Sequence, residues 1–249
     1  MPLQVGYKYF PFKEISLEPK AFSSCIKNLR IVQLSDLHLS KNVKLEYLKS
    51  LVDKINSKKP DLVVFTGDII QTPAKNLKKH FEIFRAIQAP SYYVTGNHDI
   101  VYGPKVLKEL LSKNDVICLD NEIRNIEINN LVIQLVGISD RYSFARGIKR
   151  PIKKLFSQLD KELFTILLAH QPKDINYIEN EHRIDIQLSG HTHGGQVYPF
   201  NYVVKFFQPY FAGLYTHNKT LLYVTKGLGY WGVGFRYKVP SEIPVFTIN

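Results

Sequence analysis

The 249-residue chain has little cysteine and no long apolar run, and each shortage excludes a class of protein. Its two cysteines, Cys25 and Cys118, are too few for a disulfide framework and do not form a C-x-x-C pair. No run of about 18 apolar residues predicts a transmembrane helix. The first residues lack a basic segment followed by an apolar one, so no signal peptide is predicted.

Acidic residues are scarce relative to basic ones. The chain has 33 Lys and Arg against 22 Asp and Glu, a net charge of +11. A basic surface favours anionic partners, such as phosphorylated metabolites or an acidic membrane surface. The lysines are spread out rather than gathered in a block, so solubility explains them equally well. Nucleic-acid binding is not expected, because neither a basic stripe nor a known module is present.

Hydrophobic patterning predicts an α/β fold. Nearly continuous runs of Val, Ile, Leu and Phe indicate strands covered on both faces, at residues 29–34, 61–66, 91–95, 131–136, 164–169, 184–189, 220–225 and 244–248. Apolar residues three and four apart indicate helices at 43–58, 75–87, 104–111 and 172–181. We therefore expect one domain over residues 1–249, a four-layer α-β-β-α sandwich of two mixed sheets flanked by helices.

Polar residues stand just beyond the carboxyl ends of five predicted strands, where open α/β sheets build their sites. They are Asp36 and His38, Asp68, Asn97 and His98, the lone His170, and His191 and His193. A random scatter of His and Asp would not follow the strand ends in this way. The pattern predicts that these side chains meet in one place.

The residue types predict a metal site. Two carboxylates, one amide and four imidazoles exceed the roughly four to six ligands of one divalent ion and suit two. A bridging carboxylate would hold two ions about 3.5–4 Å apart, the spacing of two-metal hydrolytic sites. Mixed nitrogen and oxygen ligands without thiolate favour Mn, Zn, Fe, Ni or Co over Mg or Ca.

The motifs resemble those of the calcineurin-like metallophosphoesterase superfamily. They are Asp36-x-His38, Gly67-Asp68, Gly96-Asn97-His98-Asp99, His170 and Gly190-His191-x-His193, in that family's order. The later Gly194-Gly195-Gln196 and Pro240-Ser241-Glu242-Ile243 are similar to the branch that contains the YkuE-like phosphoesterases.

This resemblance implies a role for each residue. One metal ion would be held by Asp36, His38 and His193, the other by Asn97, His170 and His191, with Asp68 between them. His98 and Asp99 would be catalytic, His98 near the leaving group and Asp99 orienting it. In one departure, Gln71 stands where the family often has an acid or Asn, so we expect altered hydrogen bonding outside the ligands.

An aromatic segment at residues 198–211 follows the last ligands, with seven aromatics in fourteen residues. It is either a loop that covers the core or an apolar lid that accepts acyl chains or enters a membrane surface. A second cluster at 230–237 could form the opposite wall. There Arg236 either contacts a substrate phosphate or is a stacking or surface residue.

We therefore expect a dinuclear-metal phosphoesterase or pyrophosphohydrolase, with manganese as the leading metal. The aromatic segment and the resemblance favour a phosphorylated lipid or nucleotide-linked substrate, such as UDP-2,3-diacylglucosamine, which superfamily members hydrolyse to lipid X and UMP in lipid A biosynthesis. That substrate implies the cytoplasmic side of the inner membrane, with peripheral attachment or attachment through segments outside this chain. One alternative is a general phosphodiesterase or phosphomonoesterase that acts on soluble substrates. The other is a non-catalytic scaffold, but all seven ligand positions are filled, which argues against it.

Overall fold

Strands and helices alternate along the computed structural model, which describes residues 3–5, 10–18, 28–179 and 181–249. The strands are β1 (Leu3–Val5), β2 (Phe12–Leu17), β3 (Leu29–Leu34), β4 (Leu62–Thr66), β5 (Ser91–Val94), β6 (Val116–Cys118), β7 (Glu122–Ile128), β8 (Leu131–Ile138), β9 (Phe164–Ala169), β10 (Ile186–Ser189), β11 (Gly213–His217), β12 (Thr220–Val224), β13 (Phe235–Tyr237) and β14 (Ile243–Ile248). The helices are α1 (Leu45–Ser57), α2 (Lys78–Glu82), α3 (Asn97–Tyr102), α4 (Pro104–Ser112), α5 (Ile152–Phe156) and α6 (Phe200–Phe207). Cys25 lies outside the described residues, and Cys118 is a free thiol.

Two six-stranded mixed sheets form the centre of the fold. The first has the order β2-β14-β3-β4-β5-β6 and is parallel except between β14 and β3. The second has the order β11-β12-β10-β9-β8-β7, parallel in its middle and antiparallel at both ends. β1 pairs with β13 in a separate ribbon.

Apolar layers lie between the sheets and on their outer faces. Ile31 and Val64 of the first sheet pack with Ile166 and Leu168 of the second. On the outside of the first sheet, α1 buries residues spaced three or four apart, which are Leu48, Leu51, Val52 and Ile55. α5 covers the second sheet in the same manner. The expected sandwich of two mixed sheets flanked by helices is confirmed.

Some predicted elements differ in detail. The helix expected at 75–87 is divided into the 3₁₀ turn Ala74–Leu77, the short α2 and the 3₁₀ turn Ile83–Ala86, and the helix expected at 172–181 is the 3₁₀ turn Pro172–Tyr177. Apolar spacing locates buried positions but does not separate α from 3₁₀ geometry, because both bring residues three apart to one side. Six strands were not predicted. Three of them, β1, β6 and β13, have only three residues each, and the other three, β2, β7 and β11, are edge strands with many exposed residues.

The two sheets are tied together at the edge where the polar residues lie. Buried Gln33 of β3 donates from Nε2 to Thr66 Oγ1 at 2.9 Å and to the Ser189 carbonyl at 3.1 Å. Because Ser189 ends β10, this contact joins the carboxyl ends of strands from both sheets. Among the helices described, none has the length and apolar character needed to cross a membrane.

Candidate metal centre

Most of the predicted ligands occupy strained backbone positions. Five of them have φ in the left-handed region: Asp36 at 54°, His38 at 46°, Asp68 at 53°, His191 at 72° and His193 at 52°. Non-glycine residues rarely adopt this conformation, and clusters of such residues mark functional sites. The loops after β3 and β4 support each other here, since Asp36 N donates to Gly67 O and His38 N to Asp68 O, both at 3.0 Å.

Asp36, His38 and His193 form the first cluster. His38 Nε2 lies 3.0 Å from His193 Nε2, and His193 Nε2 lies 3.3 Å from Asp36 Oδ1. The Asp36 carboxylate also accepts from Ser35 Oγ at 2.6 Å and from His191 N at 3.1 Å. These are the three residues expected to hold one ion, and their ligand atoms converge closely enough to do so.

Asp68, His170 and His191 form the second cluster. His170 Nε2 lies 3.2 Å from Asp68 Oδ2 and 3.3 Å from His191 Nδ1. The same Asp68 oxygen is 3.9 Å from His38 Nε2 of the first cluster. Asp68 therefore lies between the clusters, where a bridging carboxylate has to be.

Asn97 supplies an independent test of fit. Its Oδ1 is buried and has no hydrogen-bond partner among the described residues. An unpaired buried amide oxygen costs free energy of about 1–3 kcal/mol unless something else satisfies it. Since His98 N, the next backbone group, binds the Asp68 carboxylate at 2.8 Å, Asn97 stands beside the second cluster. Two carboxylates, four imidazoles and a free amide oxygen are a donor set suited to divalent metal ions.

Burial and close packing shift the ionisation of the ligands. Burial lowers the pKa of His38 to about 3, and the neighbouring His193 adds to the shift. Burial lowers the pKa of His191 to about 4, with His170 contributing. Both imidazoles are therefore neutral near pH 7, the form that binds metals.

The pKa values of the two carboxylates and of His170 shift so that each group favours its charged form. Burial alone raises the pKa of Asp36, but the adjacent His193 outweighs it and holds the pKa well below its usual range. His170 does the same for Asp68. Burial alone lowers the pKa of His170, yet the Asp68 carboxylate prevails and raises it well above its usual value.

The Nδ1 atoms of two candidate ligand imidazoles are also held in place. His170 Nδ1 donates to the Thr66 carbonyl at 2.7 Å, and His38 Nδ1 donates to Gln71 Oε1 at 2.7 Å. Such contacts fix the orientation of each ring and direct Nε2 toward the other candidate ligands. Gln71, noted in the sequence as a departure, thus supplies the acceptor that orients His38.

Arg236 has a different place from the substrate contact considered for it. Its side chain is fully buried, and its guanidinium donates to carbonyls of Lys226 and Gly229, both at 2.8 Å, and of His193 at 3.1 Å. Nη2 also lies 3.1 Å from His193 Nδ1. The group is thus turned toward the back of a ligand histidine, and we correct the expectation to a positioning role.

Asp99 differs from expectation in a similar way. Its carboxylate accepts from Tyr93 Oη and Gly96 N, both at 2.9 Å, and from Ile70 N at 3.1 Å, so it caps the first turn of α3 rather than orienting His98. Side chains of consecutive helical residues diverge by about 100°, which prevents a direct contact. Burial, with Asp68 nearby, raises the pKa of Asp99 to about 7.

His98 faces the metal clusters. Its ring stands edge-on to His38 with the centroids 4.7 Å apart, and it lines the cavity that opens over Asp68 and Asn97. This position suits the expected contact with a leaving group.

That cavity has a volume of about 550 Å³. Its floor is polar and includes Asp68, Asn97, His98, His191 and His193. Its walls are apolar and come from α6 (Phe200 and Val204) and from residues 231–235 (Trp231, Val233 and Phe235). Residues of both aromatic segments therefore line the same cavity.

One further acid contributes to the site without having been predicted. Asp140 follows the end of β8, is buried, and accepts from Gln171 Nε2 at 2.9 Å. Its charge also helps to raise the pKa of His170. Like the candidate ligands, it stands just beyond the end of a strand, but no motif surrounds it that could have identified it.

Fold and site together define a class: two-sheet α/β sandwiches that gather divalent-metal ligands at the carboxyl ends of their strands. The chain belongs to the calcineurin-like phosphoesterase family, whose profile matches residues 29–195, more than half of its length.

Individual relatives agree with this. The chain is 34% identical to an uncharacterized metallophosphoesterase of Helicobacter pylori over 96% of its own length and 66% of that protein. It is also 34% identical to the uncharacterized metallophosphoesterase YkuE of Bacillus subtilis, over 94% of this chain and 82% of that one. The expected resemblance to YkuE is confirmed. The chain spans just under two thirds of the Helicobacter relative.

A solved structure supports the fold. The 5'-nucleotidase precursor from Thermus thermophilus superposes with a TM-score of 0.54 at 12% identity, covering 88% of this chain and 55% of that one. At this identity the likeness concerns architecture alone.

Proposed function

We propose that the protein is a phosphoesterase that uses two divalent metal ions. The observation that carries this is the pair of ligand clusters beside a cavity, with Asp68 of the second only 3.9 Å from His38 of the first. Asp36, His38 and His193 would hold one ion, and Asn97, His170 and His191 the other. When bound, the ions would supply positive charge for the phosphate oxygens and lower the pKa of an attacking water.

The protein's own groups perform the remaining work. His98 lies beside the two clusters and lines the cavity, and from there it donates a proton to the departing oxygen. Gln71 and Thr66 hold His38 and His170 with Nε2 toward the centre. The apolar walls exclude water from the side of the cavity away from the ligands, which strengthens the electrostatic contacts inside.

The substrate we propose is a phosphate ester or anhydride with an apolar portion. Support comes from the walls: Phe200 and Val204 on one side and Trp231 and Val233 on the other give apolar surface directly beside the polar floor. UDP-2,3-diacylglucosamine, cleaved to lipid X and UMP, is the specific candidate. Its pyrophosphate would contact the polar floor of the cavity, and its acyl chains would contact the apolar walls. This substrate would place the protein at the cytoplasmic side of the inner membrane.

The test is hydrolysis of UDP-2,3-diacylglucosamine in detergent micelles with added Mn²⁺, beside bis-p-nitrophenyl phosphate. The variants are Asn97→Ala, which removes a ligand, and Val204→Asp, which places a charge on the wall. We expect Asn97→Ala to lose both activities. Val204→Asp should lose the lipid activity at least tenfold more than the soluble one.

Each other outcome has a defined meaning. Cleavage of only the soluble ester would keep the two-metal phosphoesterase and reject the lipid. A protein that takes up no metal and cleaves neither compound would favour the non-catalytic scaffold.

A further inference from the structure

Helix α6 carries apolar residues on two sides, and only one side is used by the cavity. Phe200 and Val204, four residues apart, face the cavity. Tyr202 and Phe206, and likewise Val203 and Phe207, are spaced four apart and turn outward. No residue of this helix is buried. The helix itself therefore does not cover the core, although Tyr210, further along the segment, packs against it.

The outward side of α6, defined as Tyr202, Val203, Phe206 and Phe207, is unusually open. Phe206 is 84% exposed, Phe207 65% and Tyr202 62%. Single exposed apolar residues need no explanation, but four on one short helix form a contiguous patch. A helix that is apolar around most of its circumference is normally covered, by protein or by lipid.

The part of the sequence that contains this patch carries charge of one sign only. No Asp or Glu occurs between Asp185 and Glu242, a stretch that contains α6 and the opposite cavity wall. Lys205 lies within α6 and is exposed. Lys238 is also exposed, and its ammonium lies 4.7 Å from the ring centroid of Tyr198, just before the helix.

We propose that the outward side of α6 docks the protein on an anionic lipid bilayer. The aromatic side chains enter the interfacial layer while Lys205 and Lys238 meet the lipid phosphates. The charge pattern favours a bilayer over a protein partner. Aromatic residues bordered by lysines, without any nearby acid in the sequence, complement a uniformly negative surface. The cavity, which lies against the opposite side of α6, would then open next to the membrane. The inference extends the proposed function, since a lipid ester would enter from there.

The chain provides its own reporter for this docking. Trp231 is its only tryptophan, is half-exposed, and lies across the cavity from α6. The full chain is mixed with vesicles of phosphatidylcholine alone or with 30% phosphatidylglycerol. Flotation measures the bound fraction, and the emission maximum of Trp231 measures its transfer to a less polar environment. Three proteins are compared: wild type, the double variant Phe206→Asp with Phe207→Asp, and a control.

The control is Val106→Asp, which changes an exposed residue of α4 outside the cavity. Because all substituted side chains are exposed, each variant should keep the wild-type melting temperature. We expect wild type and control to float with anionic vesicles and to show a blue shift. The double variant should bind at least tenfold more weakly.

Three results would overturn the proposal: no binding by wild type, equal binding to neutral and anionic vesicles, or undiminished binding by the double variant. A dimer in solution that the double variant dissolves would assign the patch to a second copy instead. Hydrolysis of bis-p-nitrophenyl phosphate, measured on the same samples, reports the phosphoesterase separately. The loss of docking with intact hydrolysis is thus distinguishable from failure of the proposed function.

Discussion

The guanidinium of Arg236 lies behind the ligand histidine His193, with Nη2 3.1 Å from Nδ1. Nη1 of the same guanidinium donates to the His193 carbonyl at 3.1 Å, so Arg236 holds both the ring and the backbone of this residue. His170 and His38 are held by acceptors instead, through Thr66 and Gln71. His193 is thus the one of these three whose back nitrogen faces a positively charged group.

We predict that Arg236→Met weakens metal binding at the first cluster by about 10–100-fold, the usual effect of losing a group that orients a ligand. Arg236→Lys should recover part of it, since an ammonium keeps the charge but not the planar fork. Metal content after dialysis against graded free Mn²⁺ measures this. Lys226→Met is the control, because Lys226 pairs with Glu242 at 3.4 Å in the same region. Equal loss in both variants would show a structural effect only.

The position of His98 predicts a dependence on the leaving group. His98→Asn should keep its bound metal, because the two ligand clusters remain. It should lose about 10²–10³-fold in kcat on an alkyl phosphate ester, whose alkoxide needs a proton. The loss on a p-nitrophenyl ester should be much smaller, since p-nitrophenolate leaves unprotonated. A uniform loss on both esters would contradict the proton-donor role.

The raised pKa of His170 predicts that metal binding releases a proton. With a pKa well above its usual value, His170 in the metal-free protein is protonated at pH 7 and paired with Asp68. A metal at Nε2 must displace that proton. Affinity should therefore rise with pH, by about tenfold per unit while His170 is protonated.

Calorimetry of Mn²⁺ binding in two buffers with different ionisation enthalpies counts the released protons. Close to one proton is expected at pH 7, and none from His38 or His191, whose lowered pKa values keep them neutral. A count of zero would contradict the prediction.

The close approach at Gly96 predicts that a single methyl group disables the site. A Cβ there would strike the Asp68 carboxylate and the Asp68 backbone nitrogen. Gly96→Ala should displace the bridging carboxylate and abolish metal uptake, even if the protein still folds. Gly234→Ala is the matched control, since a Cβ there meets nothing within 4 Å. Normal metal content in Gly96→Ala would show that Asp68 can move without loss of binding.

Most of the site could be predicted from the sequence because its residues follow directly after the ends of strands. Runs of buried apolar residues mark β3, β4, β5, β9 and β10, and parallel strands bring their carboxyl ends to one edge. The motifs then name the ligands, and no contact between distant elements is needed to find them. Edge strands such as β7 were not predicted, because many of their residues are exposed and their hydrophobic pattern is weak.

The sequence by itself therefore determined the alternation of strands and helices, the family and the candidate ligand residues, since these depend on local periodicity and on residue type. Tertiary structure decided what each polar group touches. The sequence made Arg236 a candidate for substrate contact and predicted that Asp99 orients His98. In the structure, Arg236 is buried behind His193 and Asp99 caps α3. The two sides of α6 were likewise indistinguishable in the sequence, because an aromatic residue looks the same whether it lines a cavity or faces solvent. Only packing against residues far along the chain separates these cases.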